Sequence, residues 1–271
     1  MPWVLRGLRD GRLTTRWPHR QDDYFDAFPS AVTVRTDQAS PARADDLAQV
    51  VSRCPTTAIS VQDNRAVLDQ GRCILCGRCV DAAPQLFAWQ HGSGVGAVNR
   101  TALIVGAADE SDDAVDSVRA SLAQRVKALR RSVHIRHVDA GSDGSDEWEV
   151  QALTNPVYDL HRLGIFFTAS PRHADILLVT GVGAAEMVEP LTRTRRAMPD
   201  PVVVIAAGVD AVSGGLVGRG YASNNGLADI IDVDVWVPGS PASPFALLHA
   251  ILLALGRIDE RRPPARPGRA V

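Results

Sequence analysis

The sequence predicts two α/β units in one chain: a small α+β unit folded around a cysteine loop, then a larger doubly wound parallel sheet. Three observations predict this. Near-continuous apolar runs of strand length, at 176–179 and 202–206, alternate with helix-like stretches in the second half, the pattern of a parallel sheet covered on both faces. All four cysteines fall before residue 80. Of the 271 residues, 45% are apolar, enough for each half to bury a core.

The formal net charge of −2 gives no general pull toward nucleic acid. Lys127 is the sole lysine among the basic residues, a broad arginine bias rather than a binding patch. No apolar run is long enough to cross a bilayer; the longest, 245–255, is short and contains His249. Arg6, Arg9 and Arg12 precede no apolar h-region, so no secretory signal is expected, and the chain is expected on the cytoplasmic side, soluble or peripheral.

In chain order, residues 1–30 read as an arm. Trp3, Leu5, Leu8, Trp17, Tyr24 and Phe25 are interleaved with Arg6, Arg9, Arg12, Arg16 and Arg20. Two readings stay open: a docking segment for a partner subunit or membrane surface, and an extension packed on its own domain. Residues 31–92 read as the α+β unit: a strand at 31–35, a helix over 42–53, a hairpin of 58–61 and 66–68 around Gln62-Asp63-Asn64, the cysteine loop, and a closing strand at 86–89. Gly92 to Gly96 lacks the Lys-Ser/Thr ending of a phosphate cradle and reads as a plain loop. Residues 93–131 read as a linker. Its helix, 107–131, starts acidic (Asp109, Glu110, Asp112, Asp113) and ends basic (Arg125, Lys127, Arg130, Arg131), complementing the helix dipole. Residues 132–256 carry strand-like runs at 133–138, 176–179, 202–206 and 233–237. Residues 257–271, with five arginines and three prolines, read as a disordered basic tail.

Cys73-Ile-Leu-Cys76-Gly-Arg-Cys79 places a thiol every third residue. A cubane needs thiolates at several corners, and such a loop wraps three of them while its amides point at the sulfurs. Cys54, followed by Pro55, supplies the remote fourth ligand. A structural zinc site would instead favour two separated CxxC knuckles, and disulfides would suit a secreted chain. The expected cofactor is therefore one [4Fe–4S] cluster on Cys54, Cys73, Cys76 and Cys79. The loop resembles the core of bacterial ferredoxins. A two-cluster ferredoxin would continue with x3-Cys-Pro after Cys79; here Ala83-Pro84 stands there, so the unit resembles one that has kept a single cluster. The arm, MPWVLRGLRDGRLTTRWP, resembles the start of the ferredoxin-like subunit of formate hydrogenlyase and related membrane-bound hydrogenases.

Four strings carry a second resemblance: HVDAGSDGSDE (137–147), NPVYDLHRLGIFFTASPRHADILLVTG (155–181), AAGVDAVSGG (206–215) and VDVWVPGSPASPFALL (233–248). They resemble the small, cluster-binding subunit of NADH:quinone oxidoreductase (complex I) and of energy-converting [NiFe]-hydrogenases. The resemblance implies a flavodoxin-like sheet over 132–256. It also implies a proximal [4Fe–4S] cluster beside the large subunit, but the matching positions are Asp143, Asp146, Asp210 and Ser240. Carboxylates and a hydroxyl are hard oxygen ligands and do not ordinarily assemble a cubane, so this cluster is expected to be lost. Glu147 matches the residue after the family's second cysteine, so the frame is intact. The acids have four open readings: a hard cation, shared protons, pairing with arginines, or hydrogen bonds to water and backbone in a vacated cavity. His134, His137, His161 and His173 read as core or partner-facing residues rather than ligands. Asn155, Pro156, Tyr158 and Arg172 lie in the matching strings and are expected to serve the fold or an interface.

The resemblance implies an electron-transfer subunit, itself non-catalytic, of a membrane-attached oxidoreductase complex like complex I or formate hydrogenlyase. Partners would be a large-subunit homologue at the Asp143/Asp146/Asp210/Ser240 face and membrane subunits beneath, with no nucleic acid. The alternative is a structural or regulatory scaffold whose single cluster is a redox sensor or a folding staple.

Overall fold

A computed structural model of the chain describes residues 2–11, 14–19, 28–35, 44–106, 117, 120–122, 124–128 and 132–258. The expected basic tail beyond 258, most of the expected linker helix, and Arg12, Arg20, Tyr24 and Phe25 of the arm lie outside the described residues.

The arm opens with α1 (Trp3–Asp10). The small unit then runs β1 (Pro29–Val34), α2 (Ala44–Arg53), β2 (Ile59–Gln62), β3 (Arg65–Asp69), α3 (Arg78–Ala82), β4 (Phe87–His91) and β5 (Ile104–Val105). Asp63 and Asn64 both take positive φ, which the tight β2–β3 hairpin requires and which Asn and Asp tolerate. The closing strand β4 pairs antiparallel with β1, and the short β5, not expected from sequence, pairs with β3. Val32, Leu47, Val50, Ile59, Leu68, Leu86 and Phe87 are buried in one cluster together with Cys73 and Cys79.

The larger unit runs β6 (Val133–Asp139), α4 (Ser145–Ala152), β7 (Ile165–Phe167), β8 (Ile176–Thr180), α5 (Val188–Ala197), β9 (Val203–Ala207), α6 (Val209–Ser213), β10 (Val235–Val237) and α7 (Pro244–Ala254). All five strands are parallel, in the order β7-β6-β8-β9-β10. Numbered within the unit this is 2-1-3-4-5, the flavodoxin-like doubly wound order. β8, β9 and β10 are buried at every position, as their unbroken apolar runs require. The edge strand β7 was not expected, because three residues are too few to show a period.

Every residue of α7 is buried, so it is apolar on all sides rather than amphipathic. One face meets the sheet. The other is covered by Trp17, Phe28 and Tyr158, whose rings meet Phe245 edge-on at centroid distances of 6.2, 5.6 and 5.1 Å. The arm thus divides. Thr15 and Trp17 are buried against the larger unit, whereas no residue of α1 is buried.

Where the sequence suggests a linker from residue 93, residues 95–105 pack against both units. Ala97 and Trp236 exchange backbone hydrogen bonds at 2.9 and 2.8 Å, adding an antiparallel bridge to the β10 edge. Val95, Val98 and Leu103 are buried. Arg100 closes on Asp69, at the end of β3, with two guanidinium bonds of 2.8 and 2.7 Å.

Candidate functional site

The four cysteines line one pocket. Cys54 follows α2, whose helix Pro55 prevents from continuing. Cys73 follows the turn Gln70–Arg72, capped by the Asp69 carboxylate, which accepts the Gly71 N–H at 2.9 Å. Cys79 sits in the first turn of α3. Leu75 (φ +56°) and Gly77 (φ +75°) both turn left-handed between the cysteines, winding the loop around the pocket. Positive φ favours glycine at Gly77, and a Cβ there would press on the Trp89 ring at 3.1 Å. Val50, Ile59, Leu68 and Ile74 supply apolar walls.

Backbone amides are aimed at the sulfurs. Ala58 N–H donates to Cys54 Sγ at 3.2 Å, and the Leu75 and Val80 amides bond the sulfurs of Cys73 and Cys79. Burial pushes the Cys73 thiol up to about 12 and raises that of Cys79; the amides pull the other way, and the neighbouring cysteines raise both further. Thiolates are therefore costly here unless a cation shares their charge. The donor set fits an iron–sulfur cluster: soft sulfur, apolar walls and amides directed at the sulfurs. Among the described residues no three Cys, His, Asp or Glu side chains converge on a point one metal ion would fill. A cubane does not ask for that convergence, because each thiolate takes a different iron.

A second group gathers at the carboxyl ends of the parallel strands, where ligands bind in doubly wound sheets. Asp146, in the first turn of α4, is 4% exposed. It accepts the Ala242 backbone N–H at 3.0 Å, and its carboxylate rests on Gly208, where a Cβ would overlap it. Burial pushes this carboxyl up to about 7; the Ala242 amide opposes the shift, and the charges of Asp210, Glu147 and Asp143 add to it. Asp210, in the first turn of α6, is raised by burial and then by Asp143 and Glu147. Asp143 is held below the usual carboxylate range by the Ser145 hydroxyl and amide, at 2.6 and 2.9 Å. Ser240 is exposed. The four positions read from sequence thus all lie in the loops and first turns after the carboxyl ends of β6, β9 and β10, and among the described residues no arginine pairs with Asp143, Asp146 or Asp210.

Glu147 joins a network that sequence reasoning missed. The hydroxyls of Ser142 and Thr180 donate to its two carboxylate oxygens, and His137 Nε2 lies 3.0 Å from Thr180 Oγ1 and 3.8 Å from Glu147 Oε1. Burial lowers the His137 pKa, with Glu147 and Asp139 working against it. The only sequence signal was Thr180 at the end of an apolar strand, the register at which such sheets place functional groups. Among the other histidines, His134 lies 3.8 Å from Asp175 and His161 stacks on Phe166.

The two sites are joined through packing. A Cβ on Gly71, in the turn leading to Cys73, would meet both Arg100 and Val212, so the base of the cysteine loop presses on α6, the helix that begins beside Asp210.

Comparison with known proteins places this architecture. A family model described as "NADH ubiquinone oxidoreductase, 20 Kd subunit" matches residues 144–254. Over 137 residues the chain is 40% identical to the probable membrane-bound hydrogenase subunit mbhJ of Pyrococcus furiosus, covering 51% of this chain and 82% of that protein. The chain belongs to the NADH ubiquinone oxidoreductase 20 kDa subunit family. Formate hydrogenlyase subunit 7 of Escherichia coli is also similar, 37% identical over 157 residues; the match covers 58% of this chain and 60% of that subunit, so the chain spans less than two thirds of its length. Among solved structures, a chain of the archaeal membrane-bound sulfane sulfur reductase is similar at 30% identity and a TM-score of 0.43, over 49% of this chain and 74% of that one. Among the described residues no helix is long and apolar enough to cross a membrane.

Proposed function

We propose that the chain is the iron–sulfur electron-transfer subunit of a membrane-attached oxidoreductase complex, of the kind formed by complex I, formate hydrogenlyase and membrane-bound hydrogenases. On this reading it carries one [4Fe–4S] cluster on Cys54, Cys73, Cys76 and Cys79, and none at Asp143, Asp146, Asp210 and Ser240. The observation that carries it is the lining of one pocket by all four thiols, with amides bonded to three of them.

When bound, such a cluster takes up and gives back one electron at a time. The protein's part is to position and insulate. Buried Cys73 and Cys79 anchor the inner side of the pocket, while Cys76 is exposed and marks the side open to a donor. The amides of Ala58, Leu75 and Val80 stabilise negative charge on sulfur, which raises the potential. On the family's pattern a second cluster would relay electrons to a large-subunit homologue; here hard oxygen donors occupy those positions. The same reading divides the chain into an arm (1–30), a cluster unit (31–92), a connecting segment (93–131), a parallel-sheet unit (132–256) and a tail (257–271), peripheral on the cytoplasmic face through membrane subunits.

The absence of thiols at the sheet edge also favours a second reading, a scaffold subunit whose single cluster is a redox sensor or folding staple. Reduction of the assembled complex with dithionite, followed by addition of quinone, separates the two. Rapid, complex-dependent reoxidation of the cluster supports electron transfer; a cluster that never turns over removes that role.

A further inference from the structure

We propose that α1 is a membrane-surface anchor that seats directly on anionic lipid, with Trp3, Val4, Leu5 and Leu8 immersed at the interface and Arg6 and Arg9 among the headgroups. The proposal is independent of what the cysteine pocket holds.

Its first support is placement. No residue of Trp3–Asp10 is buried, and the four large apolar side chains are 84%, 49%, 51% and 76% exposed in sequence order. Water-facing tryptophan and leucine on a two-turn helix are costly, and so short a helix is marginal unless something covers its apolar face.

Its second support is shape and charge. At about 100° per residue, Trp3, Gly7, Val4, Leu8 and Leu5 fill roughly 200° of the helix, and Arg9, Arg6 and Asp10 fill the rest. A protein groove takes a narrower stripe of anchors at i, i+3 and i+4. An unbroken apolar half-cylinder with tryptophan on its border is what the boundary between headgroups and acyl chains accommodates. The first turn carries no acid, and two arginines against one aspartate leave the polar arc positive, the complement of anionic headgroups.

Its third support is the tether. Thr15 N–H donates to the Val157 carbonyl at 2.7 Å, the Arg162 guanidinium donates to the Trp17 carbonyl, and the Trp17 ring is buried on Phe245. The chain is therefore fixed to the larger unit a few residues after α1. The helix is held beside a fixed point of the surface, and its insertion would set which side of the body faces the bilayer.

The test is flotation of the full chain with vesicles of phosphatidylcholine alone, or with about a third phosphatidylglycerol, through a density gradient. The expected result is co-flotation with the anionic vesicles, about tenfold or more weaker with neutral ones, and largely lost at about 0.5 M salt. Leu5→Asp combined with Leu8→Asp abolishes it. Arg6→Gln combined with Arg9→Gln weakens it about thirtyfold, since each arginine near an anionic surface contributes about fivefold. Because no side chain of α1 is buried, both variants unfold at the parent temperature, which separates lost docking from lost fold. Brominated lipid quenches part of the tryptophan emission, and Trp3→Phe removes that part. The proposal is overturned if the chain fails to float at any anionic fraction, or if the Leu5/Leu8 variant floats as well as the parent. It is also overturned if that variant sheds a subunit from the lipid-free complex, which would make α1 a protein-binding element.

Discussion

The carboxylate of Asp146 accepts the backbone N–H of Ala242 at 3.0 Å, joining the start of α4 to the loop that leads into the wholly buried α7. Further along that helix, His249 is 6% exposed, its Nδ1 has no hydrogen-bond partner among the described residues, and burial lowers its pKa to about 4. The two groups act oppositely on stability. Asp146 has a folded pKa near 7 against 3.8 unfolded, so its contribution is complete at low pH and is lost as pH rises through 7. His249 has a folded pKa near 4 against 6.5 unfolded, so its contribution is complete above 6.5 and is lost as pH falls through 4.

Between pH 4 and 6.5 the slopes contributed by these two groups oppose each other. Asp146→Asn, which keeps an acceptor for Ala242, leaves stability rising with pH across this window. His249→Leu leaves it falling. Each slope amounts to a few kcal/mol over the window, since a tenfold change in proton affinity is worth about 1.4 kcal/mol. Urea unfolding at several pH values reads both, and parallel curves for the two variants would refute the assignment.

Anaerobic iron and sulfide analysis of the purified chain is expected to give about four irons, with one cubane signal by electron paramagnetic resonance after reduction. Cys73→Ala lowers both, because a buried inner corner is lost. About eight irons would mean that the sheet edge holds a second cluster after all.

Gly77→Ala is expected to destabilise the loaded protein by about 1 kcal/mol, chiefly from the positive φ, with the Trp89 ring giving way by a few tenths of an ångström. Iron content after mild chelation reads the effect, since the strain falls on the loop between Cys76 and Cys79.

Arg100→Lys is expected to cost about 1–2 kcal/mol in thermal or urea unfolding. The ammonium cannot reproduce the paired guanidinium bonds to Asp69, a pair that is only about a quarter exposed and holds the turn into Cys73. Asp69→Asn combined with Arg100→Lys should cost less than the sum of the single changes.

Much of this was legible beforehand for physical reasons. The buried strands β8 and β9 announce themselves because a strand covered on both faces must be apolar throughout. The hairpin shows in its Asp63-Asn64 turn, and the cysteine pocket in a thiol every third residue. The Asp143, Asp146, Asp210 and Ser240 positions could be placed because the surrounding strings kept their frame. What was missed is tertiary. β5 and β7 exist because a neighbouring strand recruits two or three residues, which leaves no period. The Arg100–Asp69 clasp and the bonds of Thr180 to Glu147 and His137 join residues more than thirty positions apart whose types are common on any surface. Nor does sequence show that Trp17 is buried and Trp3 exposed, since the two look equally apolar until Phe245 covers one of them.

The ring contact between Trp17 and Phe245 also bears on biosynthesis. The two residues are separated by most of the polypeptide, so the early tryptophan lacks its Phe245 contact until α7 has left the ribosome. During that interval the tryptophan ring stays uncovered, a condition under which nascent chains aggregate or recruit holding factors. Completion of the larger unit is thus a late event in synthesis, and a chain stalled before residue 244 would keep the backbone contacts of the arm to Val157 and Arg162 but lack the ring that covers Trp17.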